Sequence, residues 1–115
     1  NASGYYNADD TTSGQILFDN NILFNGCWCF TASERKDECE IIGSEGKISF
    51  SLFDHRPLLI ETKGTTTSIE FDKLQHVQQP MIGKVVEYFL GRSPNPCSAD
   101  EGVAVMKMMD ALVGK

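Results

Sequence analysis

The sequence predicts an α+β fold: a mostly antiparallel sheet of about six strands, with two C-terminal helices packed on one face. Three observations carry that prediction. Apolar residues alternate with period two through much of residues 11–71. Turn-forming residues interrupt those runs at short intervals. After Phe71 the apolar spacing becomes helical. Strands first and helices afterwards is the segregated order of an antiparallel layer, not the interleaved order of a parallel sheet.

The elements follow in chain order. Residues 1–8 read as a leftover of tag cleavage, Asn1-Ala2, and a flexible polar lead-in; residues 9–115 read as the folded part. Residues 11–18 and 22–31 are β-rich runs separated by Asp19-Asn20-Asn21, whose side chains tolerate the left-handed backbone of a tight turn. The second run is apolar on both faces, which predicts a central or doubly covered strand. Gly26 inside it marks a bulge or a close approach.

Residues 38–53 form the clearest hairpin. Ile48, Phe50 and Leu52 alternate with Lys47, Ser49 and Ser51, and Gly43 and Gly46 bound the turn, where glycine permits positive φ. Asp54-His55-Arg56-Pro57 breaks the alternation. Residues 58–62 and 66–71 pair around Lys63-Gly64 and are rich in β-branched side chains. Pro80 suits a helix's first turn, Ile82, Val85, Val86, Phe89 and Leu90 keep helical spacing, and Gly91 ends the run. Ser98 and Glu101 have the spacing of a capping box for a second helix, striped by Val103, Met106, Met109 and Val113.

Composition narrows the function classes. The 115 residues suit one domain or part of a larger one. Hydrophobic residues are 41% and charged residues 23%, and no apolar run reaches bilayer length. A net charge of -6 argues against binding nucleic-acid backbone, and no partner of that kind and no membrane is expected. Cys27, Cys29, Cys39 and Cys97 have neither zinc spacing nor a pair suited to a normal disulfide, so they read as reduced, small hydrophobes. That favours a reducing, cytoplasmic compartment.

Catalytic patterns are scarce. Gly43-Ser44-Glu45-Gly46 leads into a strand, not a helix, so it is no phosphate cradle. His55 reads as a turn residue. The methionines Met106, Met108 and Met109 read as packing. No Ser/His/Asp or Cys/His set and no paired-carboxylate site stands out. One segment holds interest: His76, Gln78 and Gln79 lie before the first helix, where an imidazole and amides can meet an anionic or polyhydroxylated ligand. These three are the substrate-proximal candidates; the competing reading makes them caps and backbone partners of the loop.

Four stretches carry a family resemblance. They are Glu40-Ile41-Ile42-Gly43-Ser44-Glu45-Gly46-Lys47-Ile48, Leu74-Gln75-His76-Val77-Gln78-Gln79-Pro80-Met81-Ile82, residues 10–32 with their Phe-Thr-Ala ending, and residues 98–115. In that order and spacing the chain resembles the C-terminal region of the glucose–fructose oxidoreductase/inositol dehydrogenase/MocA (Gfo/Idh/MocA) family. The resemblance implies part of a substrate-shaping and oligomerisation domain, with the Rossmann domain that binds NAD or NADP outside this stretch. It implies hydride transfer involving a sugar, polyol or related carbonyl compound, and a homo-oligomer built through the open sheet face. The Rossmann glycine loop and the Glu-Lys-Pro lysine have no counterpart here, and the family's Asp-x-x-x-His element, with His55 or His76 as its histidine, is read as missing too. The resemblance therefore transfers no catalytic and no cofactor-binding residue. This stretch alone is expected to be inactive and without cofactor or metal, NAD or NADP belonging to the intact parent. The alternative is a stand-alone, non-enzymatic module that dimerises or binds a small ligand.

Overall fold

The computed structural model describes residues 1–5 and 7–114; Tyr6 of the lead-in and Lys115 of the last predicted stretch lie outside the described residues. The chain divides into two units, Asn1–Ser33 with Met81–Lys115, and Glu34–Pro80.

In the first unit β1 (Thr11–Leu17) and β2 (Leu23–Cys29) form an antiparallel ribbon, with Thr11 opposite Cys29 and Leu17 opposite Leu23. Asn21 takes φ 60° at the turn, and its N–H donates to the Phe18 carbonyl. The pleat puts Thr12, Gly14 and Ile16 on one face with Phe24, Gly26 and Trp28. The Phe24 and Trp28 rings lie 6.2 Å apart and close over Gly26, where a Cβ would strike both. Gly26 therefore marks a close approach, and the ladder runs past it without a bulge.

Helix α1 (Gln79–Phe89) ends where Gly91 takes φ 71° and donates its N–H to the Tyr88 carbonyl. Helix α2 (Ala99–Leu112) starts with the full capping box: Ser98 Oγ accepts from the Glu101 N–H, and the Glu101 carboxylate accepts from the Ser98 N–H at 2.6 Å. The helix lies against β1, with Leu112 over Gly14. At the front of the unit, Asp10 is 1% exposed. Its carboxylate accepts from the N–H groups of Ala2 at 2.7 Å and Ser3 at 2.8 Å. The Ser3 side chain, then those N–H groups, hold this carboxyl well below the usual range.

The second unit is a four-stranded meander of β3 (Cys39–Gly43), β4 (Gly46–Phe50), β5 (Leu58–Thr62) and β6 (Thr65–Ile69), paired in sequence order. Lys63 and Gly64 take φ 48° and 80°, the doubly left-handed turn that a two-residue hairpin favours. Register aligns Ile41, Ile48, Ile60 and Thr67 across the strands, and Cys39 with Phe50 and Leu58 with Ile69 share that apolar face. The other face carries Glu40, Lys47 and Glu61, with Ser49 beside Leu59.

Several expectations need correction. The α+β class holds, but the strands form a two-stranded and a four-stranded sheet, not one sheet of six. The charged stretch from Glu34 to Glu38 interrupts the β pattern between β2 and β3, and those strands do not pair. Instead of two helices on one sheet face, α2 packs against the β1–β2 ribbon. Nor is β2 a central strand: β1 is its partner among the described residues, and Phe24 and Trp28 are 37% and 42% exposed. The β3–β4 turn does not use positive φ at Gly43 or Gly46. Gly46 serves a different need, because β5 passes so close that a Cβ there would collide with the Glu61 carbonyl oxygen.

No hydrophobic residue among those described is fully buried. The backbone ladders and polar clamps are therefore satisfied within each unit, while the apolar faces stay uncovered.

Candidate functional site

His76, Gln78 and Gln79 sit on the turn that runs into α1. The His76 carbonyl closes that turn by accepting the Gln79 N–H at 3.1 Å, and Gln79 is the first residue of α1. All three side chains are exposed. Sequence reading overlooked a spacing here: Asp72 stands four residues before His76, so the Asp-x-x-x-His interval is present. Residues 70–74 are irregular backbone, so the interval does not place the two on one helix face.

The best-ordered polar chemistry lies on the four-stranded unit. Lys47 Nζ reaches Glu40 Oε1 at 2.7 Å and Glu61 Oε2 at 3.5 Å, tying three strands together. The hydrogen bond that Lys47 donates to Glu40, then the charges of Glu40 and Glu61, raise the lysine's pKa. At the tips of the two hairpins Lys63 Nζ meets Glu45 Oε2 at 3.2 Å.

At the opposite end Asp37 acts as a clamp. Its carboxylate accepts N–H groups from Leu52 at 3.2 Å, Phe53 at 2.7 Å and Asp54 at 2.9 Å, while Ser51 Oγ donates to its main-chain carbonyl at 2.6 Å. A charge met by three aligned N–H dipoles is stabilised, and the Phe53 N–H leads in lowering this carboxyl from 3.8 to about 2. Beside it, Arg35 Nη2 donates to Asp54 Oδ1 at 2.7 Å and Arg56 Nη2 to Asp54 Oδ2 at 3.0 Å. Lys36 pairs with Glu38 at 2.8 Å, which lowers the glutamate's pKa and raises the lysine's.

The clamp sets a pH dependence with a definite sign. Asp37 has its pKa depressed on folding, so its contribution is full above about 3.8 and is lost as pH falls through about 2. Urea unfolding of the wild type and Asp37→Asn across that window is expected to show the wild type losing its advantage towards the acid end. Parallel curves for the two proteins would contradict the clamp.

The thiols behave differently from the sequence expectation. All four cysteines are free, but Cys27, Cys29 and Cys97 are exposed and Cys39 half-buried, so they are not core hydrophobes. The hydroxyls of Thr31 and Thr11, at 3.5 and 3.6 Å from the Cys29 sulfur, lower that thiol's pKa, Thr31 foremost. Met106, Met108 and Met109 on α2 are exposed as well. Among the described residues no group of three His, Cys, Asp or Glu side chains is arranged to hold a metal ion. No helix among them is long and apolar enough to cross a membrane.

Comparison with known proteins gives one strong similarity. The chain is 44% identical over 102 residues, 89% of its length, to a protein named Oxidoreductase P35 from Formosa agariphila. Those residues make up 32% of that protein, so the chain spans about a third of the length of the curated relative it matches. No protein-family model matches the chain. No solved structure matches it.

Proposed function

We propose that this chain is the C-terminal, substrate-shaping and oligomerisation part of an NAD(P)-dependent oxidoreductase acting on a sugar, polyol or related carbonyl compound. The observation that carries the reading is the 44% identity, along 89% of the chain, to a protein named as an oxidoreductase. The motifs that resemble the Gfo/Idh/MocA family supply the finer content. They put nicotinamide binding in a Rossmann domain of the same polypeptide, outside these residues.

The structure is compatible with a supporting role. Its ordered polar groups tie strands and loops together, and its apolar faces stand open to a neighbouring domain or copy. In the intact enzyme the turn bearing His76, Gln78 and Gln79 contributes polar groups to the substrate side. Asp72 gives His76 a carboxylate neighbour in sequence, which makes that histidine the first position to mutate in the parent.

The test is a fluorescence titration of NADH and NADPH against the natural full-length polypeptide, with residues 1–115 alongside. The full-length protein is expected to bind a reduced nicotinamide, and residues 1–115 alone are not. Binding by neither overturns the oxidoreductase reading in favour of a non-enzymatic module. Hydride transfer by residues 1–115 alone overturns the assignment of chemistry to another domain.

A further inference from the structure

The ten lysines and arginines are scattered along the sequence, yet the fold brings Arg35, Lys36 and Arg56 to one cleft. We infer that this cleft is an oxyanion site, receiving the carboxylate or phosphate group of a small ligand between Arg35 and Arg56. The cleft has a volume of about 390 Å³, with Ser49, Phe50, Pro57 and Leu59 among the residues that line it. It thus offers apolar surface for a ligand's body next to cationic donors for its charged group.

The arginine pair is the core of the argument. The two guanidinium groups come from separate loops and bind opposite oxygens of the single Asp54 carboxylate. One negative charge therefore faces two permanent positive charges. Each guanidinium carries five N–H donors and gives one nitrogen to Asp54, so both keep planar donor edges for a second carboxylate or phosphate. The two acids that line the cleft, Asp37 and Glu38, are committed to other partners. Asp37 spends its oxygens on the three backbone N–H groups of Leu52, Phe53 and Asp54. Glu38 is paired with Lys36. Asp54 acts as the spacer that fixes the two forks, and the incoming oxyanion meets the N–H donors that Asp54 leaves free.

The site goes beyond the oxidoreductase reading and does not depend on it. Its test needs no nicotinamide and no second domain, so its failure leaves that reading as it stood. The experiment is a titration of the ¹⁵N-labelled chain with inorganic phosphate, and separately with acetate, at constant ionic strength set by chloride. Saturable shifts are expected at the Nε–H signals of Arg35 and Arg56 and at the amides of Ser49 and Ser51. Saturation by phosphate assigns a phosphate ligand, and saturation by acetate alone assigns a carboxylate.

Arg35→Gln and Arg56→Gln should each weaken binding by about fivefold or more, since each removes one charged fork. The double variant should abolish it, while Lys63→Gln at the hairpin tips should leave it unchanged. Arg56→Lys keeps the charge but loses the planar fork, so it should recover only part of the affinity. Both arginine side chains are mostly exposed, and the single variants are read separately should the double variant fail to fold. Absence of saturation by either ion, or saturation that survives loss of both arginines, overturns the site.

Discussion

Self-association through the apolar face of the four-stranded unit is expected, and Ile41→Lys is expected to abolish it with little change in the folding of that unit. Ile41 stands 59% exposed in the apolar row that continues through Ile48 and Ile60. In a monomer, a substitution at such a position shifts stability by no more than about 0.5 kcal/mol. At an assembly surface the same change removes about 1.5–3 kcal/mol of apolar burial and leaves an ammonium group to be desolvated. Twofold assembly applies the penalty twice, so the dissociation constant should rise by about a hundredfold or more.

Surface area supports the expectation. Two compact units of half this mass would together expose about 7,500 Å². The chain exposes 10,076 Å². The difference, about 2,500 Å², is surface left open to a neighbouring domain or a second copy, and sedimentation tells the two apart. Sedimentation equilibrium of the wild type and Ile41→Lys checks the prediction. A wild type that stays monomeric at high micromolar concentration contradicts assembly through this face.

Local patterns read well from the sequence because local physics decides them. The Lys63-Gly64 turn, the Ser98–Glu101 capping box and the Gly91 helix stop each depend on a few neighbouring residues, and each appears where the spacing put it. β5 matches its predicted range, and the other strands agree to within a few residues. Long-range partners did not read. Nothing in the pattern around Asp37 announces that its carboxylate will take the N–H groups of Leu52, Phe53 and Asp54. Nothing around Arg35 announces that it will share Asp54 with Arg56. The apolar faces of β2 misled for a related reason. Hydrophobicity says that a surface is to be covered, and it does not say whether this chain's own residues do the covering. Of the candidate site, the turn at His76, Gln78 and Gln79 was legible as a polar approach to a helix, and the Asp72 spacing could have been found by counting.

Gly46→Ala is expected to disrupt the four-stranded sheet, while Gly43→Ala is tolerated, although the two glycines bound the same turn. Neither residue has positive φ, so a new Cβ costs nothing through backbone conformation at either position. Space separates them. At Gly43 the nearest atom to an added Cβ is the Gly46 carbonyl oxygen at 3.8 Å, an ordinary contact. Fewer unfolded conformations then leave Gly43→Ala neutral or stabilising by about 0.4–1 kcal/mol. At Gly46 the obstacle is the Glu61 main-chain carbonyl, with Thr62 Cγ2 at 2.8 Å beside it. Main chain cannot swing aside as a flexible side chain does. Relief requires β5 to move off β4, and that strains the pairs Gly46–Thr62 and Lys47–Glu61. Overpacking of this kind costs about 1–3 kcal/mol, and each ladder hydrogen bond lost adds about 1 kcal/mol. Amide exchange at Ile48 and Ile60 is the direct readout, because both lie in the ladder that must open. Exchange should accelerate by about tenfold or more in Gly46→Ala, since 1.4 kcal/mol is a factor of ten, and stay at the wild-type rate or slower in Gly43→Ala. Equal acceleration in both would return the explanation to turn conformation and remove the close approach of β5 as the reason for glycine at position 46.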